Sequence, residues 1–378
     1  MTRLLNSESA AVVLSEHLLA KGFVLAEARL NSEATLNALS LDMIDILDPA
    51  LRRWKQNERV VAVLLTSSGN RAFSAGGDIQ ALYRAMMRNH QAGERVDEYP
   101  YEFFEREYRL DYLLHRYTKP VIALGHGVIM GGGLGIFSAA RFRIVSERVR
   151  IALPEVTIGL FPDAGGTWLL RGMEPHIGRF VGMTGSHLNG ADALDIGLGT
   201  HNLSTGQFAS LSGKLASLAW CGEPDADGAL IDACLRQLPA ATLPASQLPL
   251  IPESVGAAQE LGGVVASLRA LAGRDPWLDR GLANLNGGCP TTVGIVFEQL
   301  RRAPALELAD CFRLEMTVAT HCADNHDFAE GVRALLIDKD NNPVWQFGDL
   351  ESLPDAYVQS HFAEPWARNP LHDLERTS

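Results

Sequence analysis

Two glycine-rich turns are the segments of this sequence best suited to bind a reacting oxygen atom. One spans residues 73–78 and contains Gly77, and the other spans residues 130–135 and contains Gly132. Each turn leads from an apolar run into a helical pattern. Because its glycines have no side chain, the backbone N–H groups at the start of the helix are not obstructed. Two such turns facing each other would form an oxyanion hole for a carbonyl oxygen. Taken singly, each turn is explained equally well by tight helix packing.

Two carboxylates follow in a stretch that favours acid–base chemistry. Glu155 and Asp163 lie in the apolar segment 154–167, which is rich in proline and glycine. A carboxylate buried there is costly unless it has a partner or a function, and burial raises its pKa towards neutrality. Such a group can act as a general acid or base. The alternative for Asp163 is a cap on a helix beginning near Ala164, and both roles are compatible.

The elements that must position these groups alternate up to about residue 204. Apolar runs predict strands at 22–30, 60–66, 120–126, 142–146 and 197–203. Helical spacing predicts helices at 41–56, with Ser40 as N-cap, and at 78–87 and 101–117. This alternation predicts an α/β fold with parallel strands.

The composition changes after residue 204. Residues 205–256 are rich in alanine, leucine, serine and proline, which predicts helices joined by a linker. Further helices are predicted over 291–322, with a break at Pro304, and over 327–339. We therefore expect two domains, a core of residues 1–204 that carries the motifs and a helical C-terminal region of residues 205–378.

Composition and charge exclude several protein classes. The 378 residues are 47% hydrophobic and 21% charged, which is typical of a globular protein and not of a disordered or fibrous one. The net charge of −12 argues against general nucleic-acid binding. The five cysteines form no C-x-x-C pair, which indicates free thiols in a reducing compartment. Residues 121–140 are apolar, but six glycines indicate a strand, a turn and a helix rather than a membrane span.

Several common catalytic motifs do not occur in the sequence. It has neither the G-x-S-x-G turn of serine hydrolases nor a P-loop nor an H-E-x-x-H pair. His126, which lies between two glycines, is a candidate base, although packing at a strand end explains it better. The first twenty residues lack the continuous apolar segment of a secretory signal, so we expect a cytoplasmic protein.

Four separated motifs together resemble the crotonase (enoyl-CoA hydratase/isomerase) superfamily. They are residues 36–39 (Leu-Asn-Ala-Leu), 73–78, 119–135 and 154–167. The resemblance covers about residues 22–205 and implies a crotonase-like core of stacked ββα units in a superhelix. It also implies an acyl-CoA substrate, with no metal and no cofactor beyond the CoA of that substrate. The sequence departs from the family at Glu33, where a proline is usual.

The resemblance also assigns residues to roles. By motif position the oxyanion hole consists of the N–H groups of Gly77 and Gly132, and Gly76 and Asp78 of the same turn contact the substrate. Hydratases of the family hold water between two glutamates. The second of these corresponds to Glu155, but Gly135 stands in the place of the first.

Asp163 stands where hydratases usually have glycine, and this change resembles the 3-hydroxyisobutyryl-CoA hydrolase branch of the superfamily. The segment 327–345 resembles the longer tail of that branch. A third acid of the branch corresponds by spacing to Glu107, for which a solvated helix charge is the alternative. The resemblance implies thioester hydrolysis in valine catabolism. Glu155 would activate water or attack directly, Asp163 would orient the acyl group or the water, and Glu107 would hold the 3-hydroxyl group.

Two other functions are compatible with these residues. One is an enoyl-CoA hydratase or isomerase that uses Glu155 as its only base, and the other is an acyl-CoA-binding protein without activity. The superfamily implies a homo-oligomer, either a trimer or a hexamer, but the long tail would also suit a monomer if it folds over its own site. We expect neither a nucleic-acid nor a membrane partner.

Overall fold

The computed structural model describes residues 2–377, and ten strands lie within them. In chain order the strands are β1 (Thr2–Leu4), β2 (Val12–Leu18), β3 (Val24–Leu30), β4 (Val60–Ser67), β5 (Ala72–Ser74), β6 (Val121–Leu124), β7 (Val128–Met130), β8 (Phe142–Val145), β9 (Arg150–Ala152) and β10 (His201–Asn202).

Sixteen α-helices accompany the strands in the same described residues. They are α1 (Leu41–Gln56), α2 (Ile79–Ala92), α3 (Tyr99–His115), α4 (Gly131–Ala139), α5 (Gly166–Arg171), α6 (Pro175–Thr184), α7 (Gly190–Asp195), α8 (Thr205–Ala216), α9 (Pro224–Arg236), α10 (Leu261–Arg269), α11 (Pro276–Gly287), α12 (Pro290–Arg302), α13 (Leu308–Asp324), α14 (His326–Val332), α15 (Asp355–Ser360) and α16 (Leu374–Thr377). A π-helical turn, Arg333–Ile337, continues α14.

The strands form one large sheet and one small sheet. The large sheet has the order β1-β2-β3-β4-β6-β8-β10, with β1, β2 and β3 antiparallel and the later pairs parallel. One of its faces packs against α8 and α9 through residues such as Leu64, Ile122 and Leu211. The opposite face packs against α1 and α3 and contributes to the larger hydrophobic core. The boundary that we predicted between two domains, after residue 204, falls between β10 and α8. The division into two domains stays a prediction.

The small sheet places the sequence motifs side by side. Its three strands are parallel and have the order β5-β7-β9. The first glycine turn follows β5, the second follows β7, and Pro154 and Glu155 follow β9. Because the carboxyl ends of neighbouring parallel strands meet at the same edge, all three motifs leave the sheet at one place.

Most of the predicted elements occur, with shifted ends. Ser40 caps α1 by accepting a hydrogen bond from Met43 N, as predicted. The predicted strand at 197–203 is reduced to β10, and the break at Pro304 is a short 3₁₀ turn between α12 and α13. The antiparallel pairing of β1, β2 and β3 was not predicted, because the sequence analysis assigned no strand before residue 22.

Candidate active site

A cavity of about 750 Å³ lies at the edge where the three motifs leave the small sheet. Every residue to which the sequence analysis assigned a site role lines it: Gly76, Gly77, Asp78, Glu107, Gly132, Glu155 and Asp163. Leu335 and Leu336 of the π-helical turn also line it, so the C-terminal region contributes to its wall. His126 lies outside this cavity, buried beside the ring of Phe208, which agrees with the packing explanation.

The two glycine turns contact each other. A Cβ atom on Gly76 would lie only 3.4 Å from the carbonyl oxygen of Met130, so the backbones meet without side chains between them. Leu39 N donates to Gly76 O and Asp78 N donates to Leu39 O, which leaves the N–H of Gly77 on the side away from Leu39. Gly132 is the second residue of α4, where a backbone N–H has no acceptor within its helix. The structure therefore brings both predicted oxyanion donors to one cavity.

Asn37 holds the first glycine turn in place. Its side-chain amide donates to the carbonyls of Ser68 and Ala72 and accepts from Ser32 N. Its φ of 55° lies in the left-handed region, which asparagine tolerates better than most residues do. Leu36 O, one residue earlier, accepts from Ala75 N. The Leu-Asn-Ala-Leu segment is thus the support of the turn that carries Gly77.

Glu155 and Asp163 are both buried at the cavity, as the sequence predicted. Glu155 lies on a 3₁₀ turn (Pro154–Thr157), and none of the described residues hydrogen-bonds to its Oε2 atom. Burial, and then the charge of Asp163, raises the pKa of Glu155 well above its ordinary value. Burial also raises the pKa of Asp163 to about 6, although the hydrogen bond that Tyr108 donates to Oδ2 at 2.7 Å opposes the rise.

Glu107 approaches the second glycine turn from α3. Its side chain is 2% exposed, so the alternative of a solvated helix charge is wrong. A Cβ atom on Gly132 would lie 1.8 Å from Glu107 Oε1, which means that only glycine leaves space for this carboxyl group. Burial, followed by the charges of Asp163 and Glu315, raises the pKa of Glu107 well above its ordinary value. Three acids thus surround the predicted oxyanion donors.

Gly135 has no space for a side chain. A Cβ atom there would lie 2.6 Å from the carbonyl oxygen of Ala164 and 2.8 Å from Asp111 Oδ2. The backbone at Ala164 would have to move to accommodate such an atom. The contact between α3 and α4 beside it is buried and leaves no space for that movement. The glutamate that hydratases place at this position therefore has no counterpart here, and the space is filled from α3 by Asp111.

The hydrogen bonds of two acids, Asp78 and Asp163, differ from those that the sequence predicted. The Asp78 carboxylate caps α2 by accepting from Ala81 N, so its role toward a substrate stays a prediction. The alternative that Asp163 caps the helix after it is wrong, because Gly165 is the N-cap residue of α5. Glu315 of α13 caps α5 instead, because its carboxylate accepts hydrogen bonds from Gly165 N and Thr167 N at 2.8 Å each.

Five residues at or behind the cavity were not predicted from the sequence: Tyr108, Asp111, Glu315, Leu335 and Leu336. Glu107 and Asp111 are four residues apart on α3, so the helical period could have indicated Asp111. No signal near Glu315 in the sequence points to α5, from which it is separated by about 150 residues. In the part of the chain that the structure describes, no cluster of three or more metal-ligating side chains occurs.

Comparison with known proteins agrees with this geometry. The sequence model described as "Enoyl-CoA hydratase/isomerase" matches residues 25–362. The chain belongs to the enoyl-CoA hydratase/isomerase family. It is an enzyme of the crotonase fold, as the sequence motifs predicted.

Several curated proteins that are similar to the chain share one name. The chain is 32% identical over 373 residues to the mitochondrial 3-hydroxyisobutyryl-CoA hydrolase of Gallus gallus, covering 97% of this chain and 92% of that protein. It is 31% identical to the protein of the same name from Homo sapiens, covering 92% and 90%. Those names place the relatives in mitochondria, whereas the cytoplasmic location of this chain stays a prediction.

Two solved structures similar to the chain carry the names of a dehydratase and a hydratase. A carnitinyl-CoA dehydratase from Mycobacterium thermoresistibile superposes with a TM-score of 0.82 at 28% identity, covering 96% of this chain and 99% of the other. An enoyl-CoA hydratase from Rhodobacter sphaeroides gives 0.78 at 30% identity, covering 94% and 98%. These matches establish the fold over nearly the whole chain. Among residues 2–377 no helix is long and apolar enough to cross a membrane.

Proposed function

We propose that this enzyme hydrolyses the CoA thioester of a short 3-hydroxyacyl group, most specifically 3-hydroxyisobutyryl-CoA. The observation that carries the proposal is the arrangement of acids at the cavity. Asp163 is present opposite Glu155, while Gly135, the place of the second hydratase glutamate, is closed to any side chain. The names of the relatives at 31–33% identity support the same reaction.

The first task of the site is to bind the thioester carbonyl. The N–H groups of Gly77 and Gly132 would donate to its oxygen, which becomes an oxyanion when water adds to the carbon. In other enzymes, removing one such donor costs about 2.7–4 kcal/mol of transition-state stabilisation. Asn37 contributes indirectly, because its four side-chain hydrogen bonds hold the turn that presents Gly77.

Glu155 would then accept a proton from the attacking water. A base with a raised pKa is better matched to proton transfer near neutral pH than an ordinary carboxylate is. The hydroxide equivalent adds to the carbonyl carbon, and the tetrahedral intermediate breaks its C–S bond. The CoA thiolate leaves and takes the proton that Glu155 accepted, so that water and thioester become a carboxylic acid and a thiol and the Glu155 carboxylate is restored. Attack by Glu155 itself, with a mixed anhydride as intermediate, would give the same products.

Asp163 and Glu107 would orient the acyl group. Tyr108 fixes one oxygen of Asp163, which leaves the other oxygen for the water or the substrate. The carboxyl group of Glu107 lies directly over Gly132, so it is close to the carbonyl that the Gly132 N–H would bind. A hydroxyl group on the third carbon of the acyl chain is a suitable donor to this carboxylate.

An enoyl-CoA hydratase or isomerase is the alternative function. The names of two structural neighbours, a dehydratase and a hydratase, favour it, and Glu155 could serve as the single base of an isomerase. Addition of water to a double bond, however, uses two glutamates in this family. Because Gly135 stands in the place of the first, only Glu155 remains. A protein that binds acyl-CoA without turnover is a third possibility, against which the buried acids Glu155 and Asp163 argue.

One experiment separates these functions. Free-thiol release from 3-hydroxyisobutyryl-CoA is measured beside the loss of enoyl absorbance from crotonyl-CoA and methacrylyl-CoA. We expect thiol release without enoyl loss, and a decrease of about 10²-fold or more in Glu155→Gln. Glu298→Gln, which changes a buried glutamate outside the cavity, is the matched control. Enoyl loss without thiol release would establish the hydratase, and binding without either change would establish the inactive protein.

A further inference from the structure

Asp111 is a buried carboxyl group to which the proposed mechanism gives no role. Its side chain is 0% exposed, and neither of its oxygens has a hydrogen-bond partner among the residues that the structure describes. Burying such a group without a partner is unfavourable, because the hydrogen bonds that it makes with water are lost and not replaced. A neighbouring group must therefore compensate for the burial of Asp111.

Its neighbour on the same helix face is Glu107. The two acids are four residues apart on α3, so they lie one above the other. Each fits against a glycine of α4, Glu107 against Gly132 and Asp111 against Gly135. Oε1 of Glu107 is buried and has no partner within residues 2–377 either. Two ionised carboxylates cannot donate to each other, but a carboxylate and a carboxylic acid can share one proton.

The surroundings determine which acid keeps the proton. Glu107 lies over the first turn of α4, where the free N–H groups and the helix dipole favour negative charge. It also lines the cavity, which Asp111 does not. Asp111 lies one helical turn farther along α3, fully buried against Gly135 and away from the free N–H groups of the first turn of α4. The charge is thus best placed on Glu107 and the proton on Asp111.

We propose that Asp111 is a positioning residue that donates its carboxylic O–H to Oε1 of Glu107 and so holds Glu107 as the acceptor for the 3-hydroxyl group of the acyl chain. Asp111 acts through Glu107 and does not touch the substrate. It makes the enzyme selective for hydroxylated acyl groups, because Glu107 without its donor would be free to turn away. This inference rests on the proposed function, since it concerns how that same site recognises its substrate.

The test compares the binding of two acyl-CoA thioesters that differ only in the hydroxyl group, 3-hydroxyisobutyryl-CoA and isobutyryl-CoA. Titration calorimetry is carried out on the Glu155→Gln protein, in which turnover is suppressed, and on the same protein with Asp111→Leu or Asp111→Asn added. The binding preference is therefore measured separately from hydrolysis, so failure of the reaction proposal does not hide failure of this one. His115→Phe, a partly buried polar position one turn farther along α3, is the matched control.

We expect Asp111→Leu to weaken binding of 3-hydroxyisobutyryl-CoA about tenfold, the usual effect of losing a hydrogen bond to a charged group. Binding of isobutyryl-CoA should change less than threefold. Asp111→Asn should restore the preference, since an amide N–H can donate where the acid O–H did. If the leucine variant does not fold, Asp111→Ala provides the same comparison.

Three results would overturn the proposal. The first is a parent protein that binds both thioesters equally well, because Glu107 would then not recognise the hydroxyl group. The second is an equal loss for both ligands in Asp111→Leu, which a purely structural residue would produce. The third is an asparagine variant as impaired as the leucine variant, which would show that the negative charge of Asp111 matters and its donor does not.

Discussion

The Tyr108 hydroxyl donates a 2.7 Å hydrogen bond to Oδ2 of Asp163, and both side chains are buried. Tyr108 follows Glu107 directly on α3, so neighbouring residues of one helix serve two acids of the cavity. Burial and the nearby carboxylates raise the pKa of Tyr108 well above its ordinary value, which keeps the hydroxyl protonated and able to donate. The hydrogen bond favours the ionised form of Asp163, whose pKa is nevertheless raised by burial to about 6.

Tyr108→Phe removes this donor and tests whether ionised Asp163 is needed. Without the hydrogen bond the pKa of Asp163 should rise further, because burial is then opposed by one interaction fewer. The acid limb of the kcat/KM profile for thiol release should move to higher pH. The variant should therefore lose more activity at pH 6 than at pH 8. An equal loss at both values would show that Asp163 does not act as an anion.

Asn37 provides a test of the support behind the oxyanion hole. Asn37→Asp keeps a similar shape and tolerance for positive φ but removes the two N–H donors to Ser68 and Ala72. We expect kcat to fall about tenfold or more, because small displacements of a catalytic group are costly. Asn37→Gly keeps the backbone freedom and loses the whole side chain, and it should be at least as impaired. If both variants retain wild-type kcat, the turn does not depend on this side chain.

How far the sequence could predict this site depends on how local each signal is. The glycine turns and the acids Glu155 and Asp163 are recognisable because their residue types are unusual in apolar surroundings. The strands β5, β7 and β9 that bring them together have three residues each, too few to show a period of two. Their pairing therefore had to come from the structure.

Long-range partners were beyond prediction for a different reason. Glu315 bonds to α5 across 148–150 positions of sequence, and Leu335 and Leu336 reach the cavity from the far end of the chain. Their residue types are ordinary for helices, so nothing in the local pattern marks them. Glu107 was identified only through a family resemblance, since a single glutamate on a helix is usually exposed.

The π-helical turn gives a prediction about the acyl-CoA site. Leu336 lines the cavity, whereas Ile337, the next residue and similarly apolar, does not. We expect Leu336→Ser to raise the KM for 3-hydroxyisobutyryl-CoA severalfold while kcat changes little, because the lost contact binds substrate and transition state alike. Ile337→Ser is the matched control and should leave KM unchanged. Equal effects of the two substitutions would indicate general disruption of the turn.

Glu315 gives a prediction about stability and pH. Burial raises its pKa to about 8, although the two N–H groups of α5 oppose the rise. A carboxyl group with a raised pKa in the folded state contributes stability that is present at low pH and is lost as the pH rises through that value. The contribution of Glu315 should therefore decrease between about pH 4.5 and pH 8.

Glu315→Gln isolates this contribution because glutamine does not titrate. The free energy of unfolding of both proteins is measured in denaturant at pH 5.5, 7 and 8.5. As the pH rises, the wild type should lose stability relative to the variant. The variant also has an amide group facing the N–H groups of Gly165 and Thr167, so its offset at low pH should favour the wild type. A difference independent of pH would show that Glu315 is already ionised throughout, held by those two donors against the cost of burial.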